Sequence, residues 1–310
     1  MTMHKISRCV GALCASFALL LPIQASAGDI VKLGYGRLIN NDYIGDFRDR
    51  GQTGSYVSSR IYGKSWDGAR PSGIGEIIEF RFQADIKSPE DLTTPSATDR
   101  PYAGSLSLGL HTHYETSGFE IAMGAELVAT GSQTGLDGLQ SALHNGLGIA
   151  PPSQTTLNGQ IGNRFFPGMI VEIGKPISLG SRTNIRPFIE GRGGVESLMR
   201  VGVDFEIGAL LQDELMVRDG ITGQRYRTMN VDASGVAFVL GFDTARVGES
   251  AYLPAANGLT LTDRRDRARA GIHWQRNKSH GFFGVTYLGR EFTTQTSAQL
   301  VGSIRLALKF

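Results

Sequence analysis

Cysteine is almost absent from this 310-residue chain, which contains only Cys9 and Cys14. Both lie in an amino-terminal segment where Lys5 and Arg8 precede a mostly apolar run, Cys9 to Pro22, and then Ala25-Ser26-Ala27. A short basic start, an apolar middle and a small-residue exit mark a secretory signal, here residues 1–27, cut before Gly28. The apolar run is shorter than the ~20 residues that a spanning helix needs, which disfavours a retained anchor. The remaining chain, 28–310, then holds no cysteine. That excludes disulfides, thiol nucleophiles and cysteine metal sites.

A charge excess is also missing. The full chain carries 31 Lys and Arg against 29 Asp and Glu. Losing Lys5 and Arg8 brings the basic count to 29, so the processed chain is formally neutral. Nucleic acid binding therefore has no electrostatic support. Beyond the signal, no apolar run approaches ~18 residues, so no helix is expected to cross a bilayer. Linkers and internal repeats are absent as well, and 28–310 reads as one domain. Glycine is abundant, at 41 residues. In strands it relieves crowding and permits bends.

What the chain does have is alternation, clearest at its end. In 298–310, Leu300, Gly302, Ile304, Leu306, Leu308 and Phe310 fall on one face. Gln299, Ser303, Arg305 and Lys309 fall mostly on the other. A period of two is a strand with one apolar and one polar side. Such a strand ending on Phe matches the last strand of an outer-membrane barrel, with its polar face toward a lumen and its apolar face toward lipid.

Similar stretches predict strands near 31–40, 52–62, 76–86, 102–115, 118–130, 165–175, 183–193, 197–208, 234–246, 268–277, 280–291 and 298–310. The expected fold is all-β: a transmembrane antiparallel β-barrel of twelve strands in the bacterial outer membrane. An even count puts both termini in the periplasm. The connections 41–51, 87–101, 131–164, 194–196, 247–267 and 292–297 then lie on the outer rim. Inner turns such as 115–118 and 277–280 are short, as expected. The inner connections 63–75 and 209–233 are long, and 209–233 hides either a missed strand pair or irregular chain. The long outer segment 131–164 could hold a short helix around Gly138–His144.

Five histidines follow the signal: His111, His113, His144, His273 and His280. His111 and His113 share one strand face at a spacing that can chelate metal, but with no acid tied to them they read as a lumen-facing polar pair. His273 reads as lumen-facing too, and His280 as a polar surface residue in an inner turn. His144 stands apart in the long outer segment. It is either a polar loop residue or a general base, since imidazole can take a proton from water near neutral pH. Asn41 and Asp42 offer adjacent oxygens suited to a hard cation such as Ca²⁺, or else they form an ordinary turn. Thr53 could hydrogen-bond at the start of the second strand. Asp99 and Arg100 read as a charge pair fixing a loop before Pro101.

Several of these pieces share an order. They are Asn41-Asp42, Asp49-Arg50 and Thr53; Ser88-Pro89-Glu90-Asp91; Asp99-Arg100-Pro101-Tyr102-Ala103-Gly104; His144; Gln160-Ile161; and Arg290-Glu291-Phe292. In that order the chain resembles the outer-membrane lipid A 3′-O-deacylase family over essentially all of 28–310. It departs from some members in having no lysine in 90–94 and no acid in 145–150. The resemblance implies an esterase that removes an acyl (acyloxyacyl) chain from lipid A or lipopolysaccharide. In it a histidine activates water and Ca²⁺ polarises the ester carbonyl. His144 would be the base, Asn41 and Asp42 would shape the oxyanion and calcium site, with Asp42 the metal ligand, and Thr53 would support them. The expected partners are lipid A and outer-membrane lipid, with a monomer as the expected state. A catalytically inactive or channel-type barrel and a barrel phospholipase stay open as alternatives.

Overall fold

The computed structural model describes residues 29–229, 231–277 and 279–307. The proposed signal and Leu308–Phe310 lie outside these residues. Fifteen strands are described. They are β1 (Val31–Asn41), β2 (Gly51–Gly63), β3 (Ile77–Ser88), β4 (Ala103–Thr116), β5 (Phe119–Thr130), β6 (Arg164–Gly174), β7 (Ile177–Gly180) and β8 (Thr183–Gly193), followed by β9 (Glu196–Ile207), β10 (Met216–Arg218), β11 (Arg225–Arg227), β12 (Gly235–Ser250), β13 (Arg265–Arg276), β14 (Ser279–Leu288) and β15 (Gln299–Ala307). Two helices, α1 (Leu136–Leu147) and α2 (Gln154–Asn158), sit between β5 and β6.

Twelve of the strands close a single antiparallel ring. Neighbours in sequence pair throughout, β6 pairs with β8, β9 with β12, and β15 with β1. The closing register sets Ile39 opposite Ile304. Closure pairs the two ends of the twelve-strand wall, which is what allows strands to cross a bilayer. The short β7 carries the line of β6 past Pro176 and pairs with the start of β8; proline has no N–H to give the ladder, so the strand is interrupted there. Two of the inner hairpins turn tightly through left-handed residues, Ser117 with Gly118, and Asn277.

The expected alternation is present along β15. Leu300 and Leu306 are exposed, whereas Gln299, Ser303 and Arg305 are buried. Leu108, Leu110, Phe238, Leu240, Phe242 and Phe283 are exposed in the same outward sense. They form the apolar exterior that lipid covers.

The lumen is filled. Segment 209–233, an inner connection, folds up into it and forms the β10–β11 hairpin. The missed pair is therefore real, but it plugs the barrel and adds nothing to the wall. Its apolar residues Leu215, Met216, Val217 and Tyr226 pack with Leu38, Val57, Ile61 and Phe282. Its charges meet wall charges: Arg218 Nη2 lies 2.7 Å from Asp204 Oδ2, and its Nε lies 2.5 Å from Glu172 Oε2. Further pairs, such as Arg267 with Asp243 at 2.9 Å, extend this network outward. Buried charge is tolerated because it is paired and hydrogen-bonded. One cavity of about 100 Å³ remains in the outer part of the lumen, lined by Lys87, Glu126, Arg192, Glu196 and Arg265 among others.

Three expectations about polar residues need correction. His113 does have an acid: its Nε2 lies 2.7 Å from Glu79 Oε2, a diagonal contact, since the β3–β4 register sets Glu79 opposite His111. His280 is not a surface turn residue. It lies in β14, buried, with its Nε2 facing Arg305 Nη2 at 3.1 Å. Arg100 pairs with Glu291 at 2.6 Å, while Asp99 accepts backbone N–H groups of Glu90 and Arg100. His111 and His273 are buried in the lumen as expected.

Candidate active site

Strand alternation decides which side of the wall each candidate occupies. On β3, Asp85 and Lys87 line the lumenal cavity, so Ser88 faces outward. On β4, Ser105 meets Tyr252 inside, so Gly104 faces outward. On β1, Asn40 is buried among Ser55, Asp219 and Ser303, so Asn41 faces outward. The β2–β3 register shifts between Gln52 and Gly54. That bulge frees Thr53 to turn outward, where its Oγ1 lies 2.5 Å from Ser88 Oγ. The candidates thus gather on the lipid side of the wall, at the outer rim.

Helix α1 covers this spot. A Cβ on Gly104 would lie 3.2 Å from Leu136 Cβ, so the missing side chain lets the helix approach closely. Successive helical residues are about 100° apart. Leu136, Gln140 and His144 therefore form one stripe, and all three are buried. Gly148 ends α1 at φ 70°, and its N–H bonds back to the carbonyls of Asn145 and His144. This left-handed turn, which glycine adopts freely, returns the chain so that Ala150 O reaches His144 Nδ1 at 2.8 Å. A carbonyl can only accept, so Nδ1 carries the hydrogen and Nε2 is the reactive nitrogen.

Nε2 faces Asp49. Its distance to Oδ2 is 2.9 Å, and Gln140 Nε2 lies 3.5 Å away. Burial pushes the Asp49 carboxyl up, while His144 and hydrogen bonds from Thr53 and Gln140 oppose the shift. Asp49 and His144 thus meet in a direct, half-buried carboxylate–imidazole contact. Asp49 Oδ1, Gln140 Oε1, Gln160 Oε1 and the Tyr102 hydroxyl are buried without a protein partner. The Tyr102 hydroxyl, itself pushed up by burial, feels the charges of Asp137 and Asp49.

The remaining candidates lie around this pair. Asp42 is buried, and its Oδ2 accepts the Arg50 N–H at 2.8 Å. Burial pushes its carboxyl up to about 8, with Asp49 and Asp46 adding to the shift and the Arg50 and Tyr43 N–H groups opposing it. Asn41 braces the turn: its Nδ2 donates to Thr53 O at 3.0 Å and its Oδ1 accepts the Tyr43 N–H at 3.0 Å. The contacts of Asn41 tie it to Thr53 and Tyr43, so its link to His144 is indirect. Ser141 donates to Asp137 O within α1, which leaves it structural. Two participants escaped sequence reading as site residues. Gln140 sits one helical turn before His144, a signal that spacing could have supplied. Asp49 belonged to the pieces that carried the resemblance, but its role emerges only where the folded loop turns it toward the helix.

Among the described residues, no three His, Cys, Asp or Glu side chains stand as a ready metal cluster. The orphaned oxygens Asp49 Oδ1 and Gln140 Oε1, with Asp42 close enough to repel Asp49, are nevertheless of the type that a hard cation takes.

The family model "Outer membrane protein LpxR" matches residues 13–310. Among solved structures, LpxR from Salmonella typhimurium superposes with a TM-score of 0.69 at 17% identity, covering 87% of this chain and 98% of that one. The beta domain of the Bordetella autotransporter BrkA follows at a TM-score of 0.43 and 10% identity, covering 89% of this chain and 98% of that one. The porin NanC gives 0.40 at 7% identity, covering 89% and 100%. No curated protein matches the chain. The twelve-stranded barrel and the match along nearly the whole chain agree: this protein belongs to the LpxR family and resides in the bacterial outer membrane.

Proposed function

We propose that this protein hydrolyses an ester-linked acyl chain of lipid A, using water activated by His144. The carrying observation is the state of His144. Its tautomer is set by a backbone carbonyl, its reactive nitrogen meets Asp49, and the pair lies on the lipid side of the wall at the outer rim. Ester hydrolysis needs a base for water and positive charge where the oxyanion grows. Water entering between Nε2 and Asp49 gives its proton to Nε2, and Asp49 steadies the imidazolium that results. Asp42 and Asp49, with the carbonyl of Gln140, would hold Ca²⁺. A bound calcium ion supplies Lewis-acid stabilisation of the developing oxyanion. Thr53, itself bonded to Ser88, holds Asp49 from the strand side, and Asn41 holds the turn that presents Asp42.

The filled lumen supports this reading over a channel. Mass spectrometry of lipid A from cells with and without the protein tests it. Loss of one acyloxyacyl group, abolished in His144→Ala and by calcium chelation, is the expected result. Unchanged lipid A with calcium present overturns it.

A further inference from the structure

Large apolar side chains stand exposed on both sides of the Asp49–His144 pair. Tyr43 and Phe47, in the β1–β2 loop, are 60% and 72% exposed. Their rings meet edge to face with centroids 5.6 Å apart. On α1, Leu139, Leu143 and Leu147 are 53%, 55% and 72% exposed. They form a row about 60° round the helix from the buried stripe that carries His144. The opposite flank is polar, with Asp137, Ser141 and Asn145.

Both arms continue the lipid-facing exterior. The β1–β2 loop folds down over the outside of β15. A Cβ on Gly302, which faces outward, would meet Ile44 Cγ2 at 2.4 Å, and one on Gly45 would meet Leu300 O at 2.1 Å. Ile39 and Leu300, exposed on the wall beside this loop, belong to the apolar belt. Phe47 also holds φ at 60°, a left-handed conformation that is unfavourable for a bulky side chain. An aromatic kept both strained and exposed, two residues from Asp49, is a feature of function more than of packing.

We propose that Tyr43, Phe47, Leu139, Leu143 and Leu147 form a collar immersed in the hydrocarbon of the outer leaflet. The acyl chains of a membrane lipid lie between its two arms, with the ester beside His144. Immersion stands on the exposure and continuity of these side chains alone; the placement of the ester rests on the hydrolase reading. The occupant is hydrocarbon because the collar extends the lipid-covered face of the barrel, and the Asp49–His144 pair lies between its two arms.

The chain has no cysteine after Cys14, so single nitroxide labels can be placed without background. Leu143→Cys, Phe47→Cys and, on the polar flank, Asn145→Cys would be labelled in full-length barrels in phosphatidylcholine vesicles. Electron paramagnetic resonance then reads collisions with oxygen, which partitions into hydrocarbon, against those with a nickel chelate, which stays in water. The collar predicts high oxygen and low nickel access at 143 and 47, matching a Leu108→Cys label in the belt, and the reverse at 145. Equal nickel access at 143, 47 and 145 overturns it. In a second measurement, the Leu139→Ser/Leu143→Ser variant, with folding checked by heat-modifiable gel mobility, should hydrolyse vesicle-embedded lipid at least about tenfold more slowly. Immersed labels with no ester cleavage by the parent protein would sink the hydrolase reading and keep the collar. Cleavage with water-exposed labels would do the opposite.

Discussion

Asp49 Oδ2 and His144 Nε2 meet at 2.9 Å, joining the first and third outer connections across the rim of the barrel. Neither segment positions its residue alone. The β1–β2 loop brings Asp49 to the wall, and the glycine turn after α1 locks the imidazole from behind. His144→Ala removes the base, and its rate on lipid substrate should fall by about 10²–10⁴-fold. Asp49→Asn keeps the shape but removes the charge, and its amide can donate to Nε2 and occupy the lone pair. It should lose activity on a similar scale while keeping the barrel's thermal midpoint. Initial rates on purified variants decide this, and a fully active Asp49→Asn would remove Asp49 from the mechanism.

Asp42 makes the protein sensitive to pH in a direction that can be worked out. Burial, with help from Asp49 and Asp46, raises its carboxyl from an ordinary 3.8 to about 8. The folded state therefore binds this proton more tightly than the unfolded state. Its contribution is favourable at low pH and is lost as pH rises from about 4 to about 8, each unit costing up to about 1.4 kcal/mol. Asp42→Asn should flatten that slope in calcium-free detergent and raise the unfolding midpoint near pH 8. Calcium binding needs the ionised carboxylate, so in the parent protein its apparent affinity should climb through the same window and level off above it. Calcium titrations by calorimetry at several pH values provide the check. An affinity independent of pH between 6 and 8 would remove Asp42 as a ligand.

Gly45 offers a way to disturb the loop and spare the barrel. A Cβ there would lie 2.1 Å from Leu300 O, a backbone atom that cannot swing aside. Gly45→Ala should lift the 42–47 turn off β15 and draw Asp49 from His144. Activity should fall by at least about tenfold, since small misplacements of catalytic groups are costly. Heat-modifiable mobility should be unchanged, because the twelve-strand ladder does not depend on the turn. Parent-level activity in this variant would mean that the loop is not the element holding Asp49.

Several of these elements could be read from residues alone. The alternation in 298–307 reports two environments, lipid and lumen, and the structure puts Leu300 and Leu306 in one and Ser303 and Arg305 in the other. Parity then assigned 41–51 and 131–164 to one rim, where Asp49 and His144 do meet. The β10–β11 hairpin was legible only as one of two readings of 209–233, and its place inside the barrel was not. Its strands have three residues each and are buried on every side, so no period-two pattern can form. Nothing in the sequence ties Arg218, Arg225 and Arg227 to the carboxylates that meet them in the lumen. Glu79 was missed as the partner of His113 for a similar reason, since cross-strand register appears only in three dimensions.

The hairpin itself gives the last prediction. Arg227 is buried, with its Nη2 2.6 Å from Glu214 Oε1, its Nε 2.9 Å from the same atom, and its Nη1 2.7 Å from Gln275 Oε1. Arg227→Met leaves the Glu214 carboxylate in the lumen without this cation, which should cost about 3–5 kcal/mol in denaturant unfolding. Glu214 also accepts the backbone N–H groups of Met229 and Val231. These N–H groups go to different oxygens, Met229 to Oε2 and Val231 to Oε1, so a glutamine removes the buried charge but keeps an acceptor for only one of them, and Arg227→Met/Glu214→Gln should recover part of the loss. Deficits that simply add would show that the pair is not coupled. Because this pair ties segment 209–233 inside the wall, the single variant should also let the hairpin leave the lumen. Planar-bilayer recordings would then show brief ion conductance that the parent barrel lacks and the double variant suppresses.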